Sequence, residues 1–128
     1  MRVSVVLDCR DPSSLVEFWS AAMRYEVVGS LPSYVVLRPA RDEPPGPVLI
    51  LQQVAEEKAG KNRMHLDIHP PLDLGVPALA ARLEALGGRR VGEPVTELLE
   101  EVGVWWQTML DPEGNELDLV ADPGHPGP

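Results

Sequence analysis

The segment Met64-His65-Leu66-Asp67-Ile68-His69 carries an imidazole or a carboxylate at every second position. Side chains of an extended strand alternate between faces. His65, Asp67 and His69 are therefore expected on one face, with Met64, Leu66 and Ile68 on the other. Glu116 and Asp118 stand in the same relation to Leu117 and Leu119, and Ser4 and Asp8 to Val3, Val5 and Leu7. Imidazole and carboxylate on neighbouring strands can hold a divalent ion or relay a proton. Polar residues on the open side of a one-sided sheet also need no function beyond solvation.

The elements that must position these residues follow a repeated order. Residues 2–9 alternate and are rich in valine, which predicts a strand. Asp11-Pro12 opens a helix, with Asp11 as cap and Pro12 in its first turn. Leu15, Phe18, Trp19 and Ala22 form its apolar face, and it ends near Tyr25. Val27-Val28 and Tyr34–Leu37 read as strands joined around Gly29-Ser30-Leu31-Pro32. Pro39–Pro47 is a proline-rich loop, and Val48–Val54 is another strand.

After a polar linker over residues 55–62 the order begins again. Met64–His69 is a strand, stopped by Pro70-Pro71. Pro77–Leu86 is a helix ended by Gly87-Gly88. Arg89–Gly92 is a short strand, and Glu93–Gly103 an irregular acidic connection with room for one helical turn. Val104–Leu110 and Asn115–Val120 are strands around the tight turn Asp111-Pro112-Glu113-Gly114. Val6-Leu7-Asp8 parallels His65-Leu66-Asp67, and the matching order of elements is the stronger sign of duplication. The fold expected is α+β: two βαβββ modules, residues 1–54 and 63–121, whose sheets curve around a cup with helices outside. Residues 122–128 form a Pro/Gly-rich, flexible tail.

The chain has 128 residues, enough for one domain, with 11 basic against 20 acidic side chains and a formal net charge of −9. That balance disfavours nucleic acid and anionic membrane surfaces as partners. The single cysteine, Cys9, rules out an intrachain disulfide and suits a reducing, cytoplasmic setting. The N-terminal apolar run is broken at Asp8, too early for a signal peptide, and no stretch reaches spanning length.

Three stretches together resemble the vicinal oxygen chelate superfamily. They are Leu7-Asp8-Cys9-Arg10-Asp11-Pro12 running into Phe18-Trp19, Gly60–Asp67, and Asp111-Pro112-Glu113-Gly114-Asn115-Glu116. This superfamily includes glyoxalase I, extradiol dioxygenases, fosfomycin-resistance enzymes and bleomycin-binding proteins, and the resemblance is to its glyoxalase-like subset. It implies a ligand cup between paired modules. It also implies metal ligands on the first, fourth, fifth and eighth strands, which fall here on Ser4, Gln52 (or Gln53, with the strand register open), His65 and Asp118. A neutral serine hydroxyl is a weak ligand for Zn²⁺, Ni²⁺ or Fe²⁺, which weakens the metal set and argues against a dioxygenase.

Two function classes follow, with a third left standing. The first is a small-molecule-binding protein, like the drug-sequestering members, which work as homodimers. Ser4, Asp8, His69, Trp105 and Trp106 are its candidate ligand contacts. The two tryptophans, adjacent on a strand, must face opposite sides, one toward a ligand and the other toward a helix or a partner. The second is a divalent-metal-dependent lyase or isomerase, with Zn, Ni, Mn or Fe on His65, Asp118 and Gln52 and with Glu116 or Asp67 as base. The third is a structural or regulatory module with no metal and no ligand. Lys61 and Arg63 are surface charges in the plain reading, or a rim that attracts an anionic substrate.

Overall fold

The valine-rich alternation at the N-terminus becomes strand β1 (Ser4–Cys9) in the computed structural model, which describes residues 1–128. Asp11 then turns the chain. Its carboxylate accepts the Ser13 backbone N–H at 3.1 Å and the Ser13 hydroxyl at 2.6 Å, capping a 3₁₀ turn over Pro12–Ser14. Helix α1 (Val16–Met23) follows, and Arg24 ends it in the left-handed region at φ 53°. Strands β2 (Tyr25–Leu31), β3 (Tyr34–Pro39) and β4 (Val48–Gln53) complete a four-stranded sheet ordered β1-β4-β3-β2. The β1–β4 pair is parallel and the other pairs are antiparallel. Leu15, Phe18 and Trp19 are buried, as are Leu37, Leu49 and Leu51 of the sheet. These residues make up the apolar interior of the first unit, Met1–Gly60.

The second unit, Lys61–Pro128, repeats the plan. Strand β5 (Leu66–Ile68), helix α2 (Gly75–Ala85) and strand β6 (Arg89–Val95) come first. A single turn α3 (Leu99–Val102) and strands β7 (Trp105–Leu110) and β8 (Glu116–Ala121) follow. The sheet order is β5-β8-β7-β6, with β5 parallel to β8. Each unit thus has its first strand beside its last, and the predicted duplication is present. Val76, Leu79, Ala80 and Leu83 of α2 are buried, as are Trp105, Met109, Leu117 and Leu119 of the sheet. The residues alternating with these on β7 and β8 are Trp106, Thr108, Leu110, Glu116 and Asp118, all half-buried.

Between β7 and β8 the turn closes on Asp111. This carboxylate is 3% exposed and accepts three hydrogen bonds, each 2.9 Å, from the backbone N–H groups of Glu113 and Asn115 and the Asn115 side-chain amide. Gly114 supplies the positive φ of 88° that the turn requires. No helix of the chain is long and apolar enough to cross a membrane.

Several boundaries differ from the sequence expectation. The first helix divides into a 3₁₀ turn and α1, so Asp11 caps the former. Strand β2 runs through Gly29, Ser30 and Leu31, because all three pair with β3 across a bulge after Val27. Strand β6 extends to Val95 through Pro94, which an edge strand tolerates, with its own irregularity between Val91 and Val95. In the C-terminal segment, the Trp105 indole N–H donates to the Pro126 carbonyl at 3.0 Å.

Candidate functional site

Strand register builds the site. In the second sheet Asp67 lies opposite Asp118, and Asp118 lies opposite Thr108, so the three side chains form one row across β5, β8 and β7. His65 precedes Asp67 by two residues and returns to the same face. The His65 imidazole Nε2 stands 3.2 Å from Asp118 Oδ2 and 3.3 Å from Asp67 Oδ1. One ligand atom from each of the three residues falls within 4.8 Å of the others. Thr108 Oγ1 donates to the remaining oxygen, Asp118 Oδ1, at 2.7 Å.

Exposure differs across the group and decides its accessibility. The Asp118 side chain is 15% exposed, whereas those of His65 and Asp67 are 41% and 52% exposed. One carboxylate is thus fixed from below by Thr108, while the other two groups face outward. That arrangement suits an ion or ligand arriving from the open side.

The spacing tests whether a metal fits. Two ligand atoms each about 2.1 Å from an ion stand roughly 3.0 Å apart at a right angle and about 3.4 Å apart at a tetrahedral one. The separations of 3.2 and 3.3 Å lie in that window. One imidazole and two carboxylates also form a donor set acceptable to Zn²⁺, Mn²⁺ and Fe²⁺.

The other expected site residues fall elsewhere. Glu116, a candidate base, accepts the Asn62 backbone N–H through Oε2 at 2.9 Å and ties down the start of the second unit. The Asn62 side-chain amide reaches Asn115 Oδ1 at 3.3 Å, so the Asp-Pro-Glu-Gly-Asn-Glu turn and the segment before β5 hold one another. His69 pairs instead with Asp122, at 3.0 Å, on the surface. Trp105 is buried at 3% exposure on the side of α2, whereas Trp106 shares a face with Thr108 and Asp118. Trp105 thus belongs to the core, and Trp106 to the face that carries Thr108 and Asp118.

In the first sheet the equivalent row is Asp8, Gln52 and Tyr34. Gln52 shares the polar face of β1, while Gln53 pairs with Cys9 on the opposite alternation, which fixes the open register. Ser4 lies opposite Val48, four residues along the ladder from the Asp8–Gln52 pair, or roughly 13 Å at strand rise. Ser4 and Gln52 are therefore too far apart to serve one ion. The place in β1 that corresponds to His65 is Val6, two residues before Asp8.

Thr108 was not anticipated. A threonine in a strand reads as an ordinary β-former, and only the β7–β8 register sets it against Asp118. The one sequence signal is that it stands two residues after Trp106 and so shares that residue's face of the strand.

Residues 4–120 match the family model described as a glyoxalase-like domain. Among solved structures, the chain is similar to a glyoxalase/bleomycin resistance protein/dioxygenase family enzyme from Burkholderia phytofirmans PsJN. That likeness has TM-score 0.74 and 15% identity, and covers 92% of this chain and 95% of that one. It is similar also to the genomically encoded fosfomycin resistance protein FosX from Listeria monocytogenes, with TM-score 0.70, 15% identity and coverage of 94% and 92%. A third likeness is to a glyoxalase/bleomycin resistance protein/dioxygenase from Nocardioides, with TM-score 0.67, 19% identity and coverage of 100% and 88%. No curated protein matches the chain by sequence. At these identities the structural likenesses speak for the fold alone.

Proposed function

The chain belongs to the glyoxalase-like domain family, and from that premise we propose that it is a small-molecule-binding protein that holds its ligand through a divalent cation on His65, Asp67 and Asp118. The observation that carries this reading is the position of His65 Nε2, 3.2 and 3.3 Å from oxygens of two different aspartates. The bound ion would polarise a carbonyl or accept adjacent oxygens of a ligand.

The chain's own residues do the rest. Thr108 keeps one oxygen of Asp118 occupied and aims the other at His65. Asp67, earlier a candidate base, serves as the third ligand in this arrangement. Trp106 offers an aromatic face to the apolar portion of a ligand. A lyase or isomerase activity would use the same group of three.

The test is a titration of metal-free protein with Mn²⁺, Zn²⁺, Ni²⁺ and Fe²⁺, followed calorimetrically. The expected result is one ion per chain, with binding lost in His65→Ala and Asp118→Asn while circular dichroism is unchanged. Stoichiometric binding of none of the four ions would overturn the reading.

A homodimer in the cytoplasm forms part of the same proposal. Its support is the exposure of Val3, Val6, Val27, Val28 and Leu31, and a single cysteine, Cys9, that is in no disulfide. A monomeric mass in analytical ultracentrifugation would remove the dimer from it.

A further inference from the structure

On the open face of β6 and β7 lies a cavity of about 460 Å³, with Lys61, Arg89, Val91, Thr108, Leu110 and Glu116 in its walls. Register explains the grouping. Arg89, Leu110 and Glu116 form one cross-strand row, and Val91, Thr108 and Asp118 form the next. Thr108 belongs both to the cavity wall and, through its 2.7 Å hydrogen bond, to the Asp118 carboxylate. The cavity therefore adjoins the His65–Asp67–Asp118 group through a single side chain.

Its charge is opposite to that of the protein. The chain carries −9 overall, yet this cavity presents Lys61 and Arg89, neither of which forms an ion pair. A third cation, Arg90, is already neutralised by Glu84 at 2.9 Å. The one carboxylate in the wall, Glu116, has an oxygen engaged by the Asn62 N–H. Two cations against one carboxylate, the Lys61 ammonium also donating to the Asn62 carbonyl at 3.2 Å, beside a threonine hydroxyl and two apolar side chains make a receptor for an oxyanion joined to a short carbon chain.

We propose that this cavity is an oxyanion subsite, and that the ligand of the neighbouring group carries a phosphate, phosphonate or carboxylate which Arg89 and Lys61 receive. The assignment rests on the reading of His65, Asp67 and Asp118 as the centre that takes the rest of the ligand. The anion contact itself requires no metal ion, so the two can fail separately.

The experiment titrates protein stripped of metal, at low salt, with inorganic phosphate and in parallel with acetate, and measures Mn²⁺ binding on the same preparation. Glycerol serves as the neutral control. The expected result is saturable binding of at least one anion, weakened about tenfold in Arg89→Gln and again in Lys61→Gln, and unchanged in Arg63→Gln, whose cation lies outside the cavity. Affinity falls as sodium chloride is raised, as for any exposed charge. Preference for phosphate or for acetate then tells which oxyanion the ligand carries. Absence of anion binding, or an equal loss in Arg63→Gln and Arg89→Gln, overturns the subsite even where Mn²⁺ binds. Anion binding that depends on Arg89 in protein that takes up none of Mn²⁺, Zn²⁺, Ni²⁺ and Fe²⁺ keeps the subsite and removes the metal reading.

Discussion

Thr108 Oγ1 and Asp118 Oδ1 are 2.7 Å apart, and this one bond fixes which oxygen of Asp118 faces His65. A carboxylate left free would rotate between several orientations, and holding it in advance lowers the cost of binding. Thr108→Val keeps the shape of the residue and removes the donor. The expected outcome is a metal affinity reduced by about tenfold with little change in thermal stability. Thr108→Ser should restore most of the affinity. Equal affinity in wild type, valine and serine variants, measured by Mn²⁺ titration, would show that the bond positions nothing.

Asp111 has a structural role that can be separated from the site. Its carboxylate receives three hydrogen bonds within one turn and is almost fully enclosed. Asp111→Ala leaves three donors without their acceptor, and a buried unsatisfied donor costs on the order of 1–3 kcal/mol. Partial access to water reduces the sum, so a loss of about 3 kcal/mol is expected in urea denaturation. The loss should extend to the neighbouring strand pair, because Asn115 also meets Asn62. A loss under about 1 kcal/mol would contradict this account of the turn.

The outline of the fold was legible because both of its signals are local. Alternation marked β1, β5 and β8, and the Asp111–Asn115 turn announced the hairpin between β7 and β8. His65 and Asp118 were legible for the same reason: each is a polar residue in an alternating strand. Their grouping followed from the resemblance to a known superfamily and not from alternation, since locally it depends on Asp67 lying opposite Asp118, a pairing between residues 51 positions apart. Strand order alone does not fix how far along a strand a residue lies, so the separation of Ser4 from the Asp8–Gln52 pair needed the β1–β4 register. Gly29 and Pro94 suggested breaks where the strands continue, because cross-strand pairing and an edge location outweighed their local preferences.

Trp105 illustrates how the C-terminal segment is held. Its ring is buried and its N–H reaches the Pro126 carbonyl at 3.0 Å. Trp105→Phe retains an aromatic in the core but loses that donor and part of the packed volume. Stability should fall by about 1–2 kcal/mol. Amide exchange at Gly124, His125 and Gly127 should become faster, while exchange in β7 and β8 rises only with the global loss. Unchanged exchange in the last residues would mean that the bond does not restrain them.

Tyr25 gives a prediction at alkaline pH. Its hydroxyl donates to the Pro47 carbonyl at 2.8 Å, and burial raises its pKa above the ordinary value of 10.0. The folded chain therefore keeps the phenolic proton to higher pH than the unfolded chain does. The stability this contributes is complete below pH 10 and declines as pH rises through the folded value. Tyr25→Phe loses the hydrogen bond, worth about 0.5–1 kcal/mol at a half-exposed position, but has no proton to release. At neutral pH the variant should melt slightly below wild type. Above pH 10 the gap should narrow, because only wild type is destabilised by ionisation of this residue. Melting curves that stay parallel from pH 7 to pH 11 would show that Tyr25 is not held in its neutral form by the fold.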